Sequence, residues 1–316
     1  MSHRSAVLLM LLVTLLWSSA GVITRHLDAA RGFEITFWRS SFNALALVVI
    51  LGVMRGRALL PALKGRAVWA SGACWAVMFT AFMVSLSLTT VANVLVTMSL
   101  SPLFTAVFAR VFLHQPVPTR TWWAIAAAGA GIAWMFGGQL GGPLLGVIVA
   151  LGVPLAAASN WCLLQKVGQA EQGPHGRCAP CPPGGRSRAS GRPSVPGPDM
   201  LPAVLIGALI SMVATLPLAW PLQAGAHDLG LLAFLGVFQL AVPCLLAVRL
   251  ARELPSHELA LLGQTETLLG VLWAWLFAGE HPGSAALIGG SLVLGALIAN
   301  EALAPPSVKT VSLKKA

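Results

Sequence analysis

Ser101–Thr121 reads SPLFTAVFARVFLHQPVPTRT, and Glu266–Ala286 reads ETLLGVLWAWLFAGEHPGSAA. Each stretch is the end of one apolar segment, a tight polar turn containing Pro, and the start of a segment rich in small residues (Ala126–Gly131 and Gly289–Gly295). An apolar run in a helix needs about 20 residues to cross a bilayer. Working outward from these hairpins, ten runs approach that length: 5–24, 33–54, 67–87, 91–113, 121–138, 143–164, 200–221, 229–248, 257–279 and 283–303. The two quoted hairpins then join helices four and five, and nine and ten. The repeating unit is five helices, and an odd number forces the second copy to enter the membrane upside down. Inverted repeats are a recurrent plan of secondary transporters, with the solute site near the midplane between the halves.

Composition demands a lipid environment. Of 316 residues, 57% are hydrophobic and 9% charged, with a mean hydropathy of +0.80. Soluble chains carry about 25% charged residues, so this one lacks the groups to clothe a water-facing surface. The first run could pass for a signal peptide, but it continues through Gly21–Thr24 and nine more follow, so it reads as a retained helix. The formal net charge of +10 raises the question of nucleic acid. The Lys and Arg fall in short loops between apolar runs, where they set topology, so no nucleic-acid partner is expected. With a cytoplasmic N-terminus, seventeen of the twenty lie on the inner side; Arg25 and Arg31 are outside and Arg39 lies within helix two. Both termini are therefore expected in the cytoplasm.

The expected organisation is all-α integral membrane, about ten helices as two inverted five-helix repeats. The first repeat spans 1–138 and the second 139–303. Residues 173–198, GPHGRCAPCPPGGRSRASGRPSVPGP, interrupt the second as a cytoplasmic linker, and 304–316 form a cytoplasmic tail. Cys74, Cys162 and Cys244 read as small buried hydrophobes. Cys178 and Cys181 form an isolated C-x-x-C, two ligands where structural zinc takes four, so no metal and no cofactor are expected. Trp69, Trp122, Trp123, Trp161 and Trp220 sit near run ends as interfacial anchors. Trp273 and Trp275 read as mid-helix packing residues.

Ionisable groups at membrane depth are costly and hence functional candidates. Glu266 lies near the middle of helix nine, where it would bind a cationic group of the solute or exchange a proton. Arg39 lies about six residues into helix two. Among the uncharged polar residues, Asn93, Thr97 and Ser101 recur at i, i+4 and i+8, one face of a continuous helix four. Gln239 in helix eight completes the candidate solute-binding set. Asn43, Ser99 and Asn160 are further intrahelical polar residues, for which interhelical bonding is the commoner fate. Pro102, Pro154, Pro217 and Pro243 each free a backbone carbonyl and supply kinks.

Trp17-Ser-Ser-Ala-Gly, Arg39, Ser101-Pro-Leu-Phe-Thr-Ala, and Ala260-Leu-Leu-Gly-Gln-Thr-Glu266 running into Trp273-Ala-Trp-Leu-Phe-Ala-Gly-Glu280 together resemble the EamA type of the drug/metabolite transporter superfamily. The resemblance covers nearly the whole chain except 173–198. It implies a ten-helix bundle around a central cavity, carriage and often export of amino acids or similar metabolites, and a bacterial inner-membrane location. Three features depart from the family pattern: His114-Gln115 replaces Gly-Glu, Thr267 stands where Pro often follows the Glu, and the linker is long.

No P-loop is present, so a gradient rather than ATP must supply energy. An intramembrane enzyme would need paired aspartates, a nucleophile with its base, or H-E-x-x-H. Asp28, Asp199 and Asp228 all fall in loops, and His257-Glu258 lacks the second His. A channel or sensory protein has no filter motif or signalling domain to support it. The expected partners are a small-molecule solute and membrane lipid; the sequence leaves a homodimer open.

Overall fold

The computed structural model describes residues 3–24, 26–30, 32–89, 91–137, 144–172, 199–278 and 283–303. The linker 173–198, the tail 304–316, Arg25, Arg31, Gly279-Glu280 and the C-x-x-C lie outside the described residues. The described chain is helical throughout. Eight of its helical segments are long and apolar enough to cross a membrane.

In chain order the helices are α1 (His3–Ser18, carried on by Ala20–Thr24), α2 (Phe33–Arg55), α3 (Arg66–Leu88), α4 (Val91–Met98 and Ser101–Phe112) and α5 (Thr119–Phe136). There follow α6 (Leu144–Gln172), α7 (Pro202–Ala219), α8 (Ala226–Phe234, a π-helical Leu235–Ala241, then Val242–Leu250), α9 (Ser256–Gly263 and Thr265–Ala278) and α10 (Ser284–Ala302). Apart from that between α6 and α7, the connections are short, so the helices they join run antiparallel. The end of the bundle holding His3 is called the near end, and the end holding residues 26–30 the far end.

α7 is the central post. Its residues Pro202–Ala208 are all buried, as expected of a helix apolar on every side, and it packs on α2 and α3. Close approach there is made by glycine: a Cβ on Gly207 would lie 2.4 Å from Trp75 Cβ, and one on Gly72 would lie 2.6 Å from Ile206. α8 meets α2 in the same way. A Cβ on Gly236 would lie 2.8 Å from both the Arg39 carbonyl and the Asn43 nitrogen. Small residues matter because helix association in lipid relies on contact rather than on hydrophobic drive.

Three sequence expectations are modified. The face shared by Asn93, Thr97 and Ser101 assumes a continuous α4, but the helix breaks at Ser99-Leu100 and restarts at Ser101. Pro102 has no N–H for the preceding turn, and Leu100 instead bonds Thr97 at 3.2 Å, a tight i to i+3 turn. Trp161 does not mark a helix end, because α6 runs on to Gln172; it is buried edge-on against Trp75, ring centroids 5.8 Å apart. Trp273, read as a packing residue, hydrogen-bonds through its indole. Trp69, Trp123 and Trp220 are exposed at helix ends, consistent with interfacial anchoring.

Candidate functional site

α9 breaks as α4 does. Its first piece ends at Gly263, Gln264 bonds Leu261 at 3.0 Å in a tight turn, and the second piece starts at Thr265. Glu266 therefore occupies the first turn of a half-helix, where the aligned peptide dipoles favour a negative charge. Both broken helices thus present a half-helix N-terminus inside the bundle, the device by which carriers bring backbone dipoles to a buried site.

Around Glu266 the neighbouring helices assemble a polar chamber. Arg39 from α2 is 3% exposed, and its electrostatic neighbours are Cys244 of α8 and Glu266. The Trp17 carbonyl accepts Gln239 Nε2 at 3.2 Å. The Trp273 indole donates to Ser18 Oγ at 2.8 Å, tying the second piece of α9 to the end of α1. Trp17, Glu266 and Trp273 each keep part of their surface accessible.

The chamber also holds unmet hydrogen-bonding demand. Neither the Arg39 guanidinium nor the Glu266 carboxylate makes a hydrogen bond or salt bridge with any described residue. Arg39 Nε, both amide atoms of Asn43, and Gln239 Oε1 are buried without a partner. Buried polar atoms are nearly always satisfied, so these call for an explanation.

Of the candidate residues, Arg39, Gln239 and Glu266 come together. α4 occupies another neighbourhood: its first piece packs on α5 and α6, its second on α6 and the first piece of α9. Thr97 is buried and Ser101 half-buried there, while the Asn93 side chain lies outside what is described. Cys244 is buried as expected, but in polar company rather than as an isolated hydrophobe. Trp17, Ser18, Asn43 and Trp273 complete the chamber. Their signal was a polar or indole group inside an apolar run, which sequence shares among many intrahelical residues.

The near end is shut. The second piece of α4 packs on the first piece of α9, every residue of Ser256–Leu262 is buried, and Ser256 N–H donates to Gln165 Oε1 at 3.1 Å. His3 approaches Glu258 at 3.4 Å, Thr121 donates to Asn300 at 3.0 Å, and Arg120 donates to the Leu303 carbonyl. Towards the far end, no comparable contact joins the first piece of α4 to the second piece of α9 among the described residues.

Two other features bear on ligands. Asp28, His227 and Asp228 place three potential metal ligand atoms within 4.8 Å of one another at the far end. The Asp228 oxygens already accept the backbone N–H groups of Asp28, Ala29 and Ala30 at 2.8, 2.9 and 2.8 Å, so the cluster serves as a loop tie. A groove between α5 and α10, lined by Ala133, Trp134, Gly137, Ser284, Ala285 and Ile288, carries no ionisable group.

The chain matches the EamA-like transporter family over residues 4–137 and 196–300. It belongs to that family and is a multi-pass membrane transporter of the drug/metabolite transporter superfamily. No curated protein matches it. A solved chain described as "Crystal structure of protein" superposes with a TM-score of 0.71 at 16% identity, covering 96% of this chain and 98% of that one. That likeness shows a shared fold.

Proposed function

We propose that this transporter is a secondary carrier that exports a small metabolite, such as an amino acid or related compound, by alternating access. The observation that carries the reading is the chamber itself. Two opposite charges, Arg39 and Glu266, neighbour one another inside an apolar bundle beside a helix break, with no hydrogen bond from either to a described residue. Charges at membrane depth are retained where they handle solute or ions. Glu266 binds a cationic group of the solute or exchanges a proton, with Arg39 and Gln239 beside it. Asn93, Thr97 and Ser101 of α4 are proposed to meet the solute away from these charges, on the two pieces of the broken helix.

The two halves, 1–138 and 139–303, are read as inverted repeats, with ten helices in all and the linker 173–198 crossing the cytoplasmic side. The neighbour pattern supports this. Adding five to each helix number maps α3 on α7 to α8 on α2, α3 on α6 to α8 on α1, and α4 on α6 to α9 on α1, and each of these pairs packs. Eight residues precede the break in each broken helix. Placing the Lys/Arg-rich near end in the cytoplasm of a bacterial inner membrane makes the shut end cytoplasmic.

The test is a metabolite profile inside and outside cells that express the chain, lack it, or carry Glu266→Gln. A solute that accumulates outside only with the intact chain, at equal membrane abundance of the variant, supports export through this site. Equal profiles for intact chain and variant remove Glu266 from the mechanism.

A further inference from the structure

We propose that the connection between α2 and α3 is a docking surface for an anionic phospholipid, with Arg57, Lys64 and Arg66 on its phosphodiester and Leu60 and Trp69 against its acyl chains. Residues 53–69 read VMRGRALLPALKGRAVW, four cations with no Asp or Glu among them. Gly56, at φ 51°, ends α2 in a conformation that favours glycine. The chain then winds through two short helical turns, Gly56–Ala58 and Leu59–Ala62, before α3 begins at Arg66. Leu59 and Leu63 are four residues apart and pack on the core. Leu60 lies off that face and is 70% exposed. Trp69 is 54% exposed, and its indole N–H donates to the Leu63 carbonyl at 2.8 Å, which holds the ring against the connection. Val53 and Met54 are exposed on the last turn of α2.

The charges around these apolar groups are uncompensated. Asp199, at the start of α7, forms an ion pair with Arg55 at 2.9 Å. Arg57, Lys64 and Arg66 are exposed and form no salt bridge or hydrogen bond with a described residue. Other near-end cations keep different company. Arg120 donates to the Leu303 carbonyl, and Arg249 and Arg252 share their connection with Glu253 and Glu258.

This pairing of free cations with exposed apolar side chains selects the occupant. Setting topology accounts for cations on this side of the bundle, but it does not require Leu60 beside them. A soluble polyanion would meet the cations and gain nothing from Leu60 or Val53. A free phosphate would find exposed charges and no enclosing cradle. A phospholipid satisfies both sets: its phosphodiester meets Arg57, Lys64 and Arg66 at headgroup depth, while Leu60, Val53 and the Trp69 ring contact the glycerol and upper acyl region. A zwitterionic headgroup brings its own ammonium, which opposes these cations, so the surface favours lipids of net negative charge. The inference is independent of the solute and of the direction of transport.

The experiment places a benzophenone side chain at position 60 of the full chain, in nanodiscs of equal parts phosphatidylglycerol and phosphatidylcholine with matched acyl chains. Photolysis adducts are identified by mass. Phosphatidylglycerol adducts are expected to exceed phosphatidylcholine adducts at least about fivefold, the factor one cation contributes at an anionic surface. Arg57→Gln/Lys64→Gln/Arg66→Gln should bring the ratio to about one, whereas Arg110→Gln/Arg249→Gln, which removes exposed near-end cations outside the connection, should preserve it. Native mass spectrometry of the unmodified chain in detergent should show the same preference and its loss in the triple variant. Without lipid, the triple variant should melt with the wild type, since no bond to a described residue is removed. Equal adducts of the two lipids, or none, overturn the proposal by reducing the connection to ordinary immersion in the bilayer. Loss of preference in Arg110→Gln/Arg249→Gln overturns it in favour of overall charge, and early melting of the triple variant in favour of a role in the fold. Glycerol phosphate that displaces phosphatidylglycerol at equal concentration overturns the lipid as occupant and leaves a phosphate-ester site.

Discussion

The indole N–H of Trp273 and the hydroxyl of Ser18 meet at 2.8 Å, joining residues 255 positions apart. The bond pins the second piece of α9, which carries Glu266, to the end of α1, whose Trp17 carbonyl accepts from Gln239. The wall of the chamber is thus built from both ends of the sequence. A neutral hydrogen bond of this kind contributes about 0.5–1.5 kcal/mol. Trp273→Phe and Ser18→Ala are each expected to lower the melting temperature of the detergent-solubilised protein modestly. The double variant should lose no more than the worse single variant, because both remove one interaction. Fully additive losses would show that the two residues act separately.

Gly236 is expected to be intolerant for a reason specific to its place. An added methyl would meet Phe42 Cβ at 2.6 Å and backbone atoms of Arg39 and Asn43 at 2.8 Å, none of which can rotate away. Gly236→Ala must push α8 off α2 and displace Gln239, a cost of about 1–3 kcal/mol for overpacking. Gly230, six residues earlier in the same helix, has nothing within 4 Å of a Cβ. Gly230→Ala should leave both melting temperature and transport unchanged. If Gly236→Ala is equally silent, the α2–α8 seam is looser than these distances require.

The near-end closure supplies a reporter already in the chain. Cys162 is buried with its sulfur 3.9 Å from both the Thr105 carbonyl and the Ser256 hydroxyl, at the seam between the second piece of α4 and the first piece of α9. Alternating access requires that seam to open. Alkylation of Cys162 by a maleimide supplied from the near end, read by mass spectrometry, is expected to accelerate severalfold during turnover over the resting rate. Gln165→Leu removes the acceptor of the Ser256 N–H and should raise the resting rate. An unchanged rate under turnover would mean that solute leaves without separating these pieces.

Much of this was legible in the sequence, and the remainder has physical reasons. Helix extents follow from apolar length, so the expected 33–54 and 67–87 are found as Phe33–Arg55 and Arg66–Leu88. The breaks were only half legible. Pro102 announces one in α4, whereas Gln264 in α9 has no breaker stronger than the glycine before it. The π-helical segment of α8 ends just before Pro243, whose missing N–H announces a distortion without giving its form. Arg39 and Glu266 stood out because charge is rare in apolar runs. Asn43 lies one turn from Arg39 on α2, but as an uncharged polar residue it resembles many others inside helices; Cys244 did not stand out because only the fold brings it beside Arg39, and partner choice across 200 residues is not written in periodicity.

Two buried carboxylates at the far end have structural work that separates them from Glu266. Glu34 Oε1 accepts the N–H groups of Gln223 and Ala224 at 2.7 and 2.8 Å, fastening the start of α2 to the α7–α8 connection. Asp228 holds the α1–α2 connection through three backbone donors. Both satisfy amides that would otherwise be unpaired, and hydrogen bonds to charged groups contribute about 1.5–3 kcal/mol. Glu34→Ala should therefore destabilise by about that amount, while Glu34→Gln, whose carbonyl still accepts, should lose less. Asp228→Ala should lower the melting temperature further than Glu34→Ala, since it strands three donors rather than two. The contrast with Glu266 is the informative part. Glu266→Gln removes no hydrogen bond to a described residue, only a charge beside Arg39, so it should lower the melting temperature less than Glu34→Ala or Asp228→Ala while transport is lost. A Glu266→Gln protein that melts early would place Glu266 with Glu34 and Asp228 as a fastening of the fold, and the chamber would need another residue to carry its chemistry.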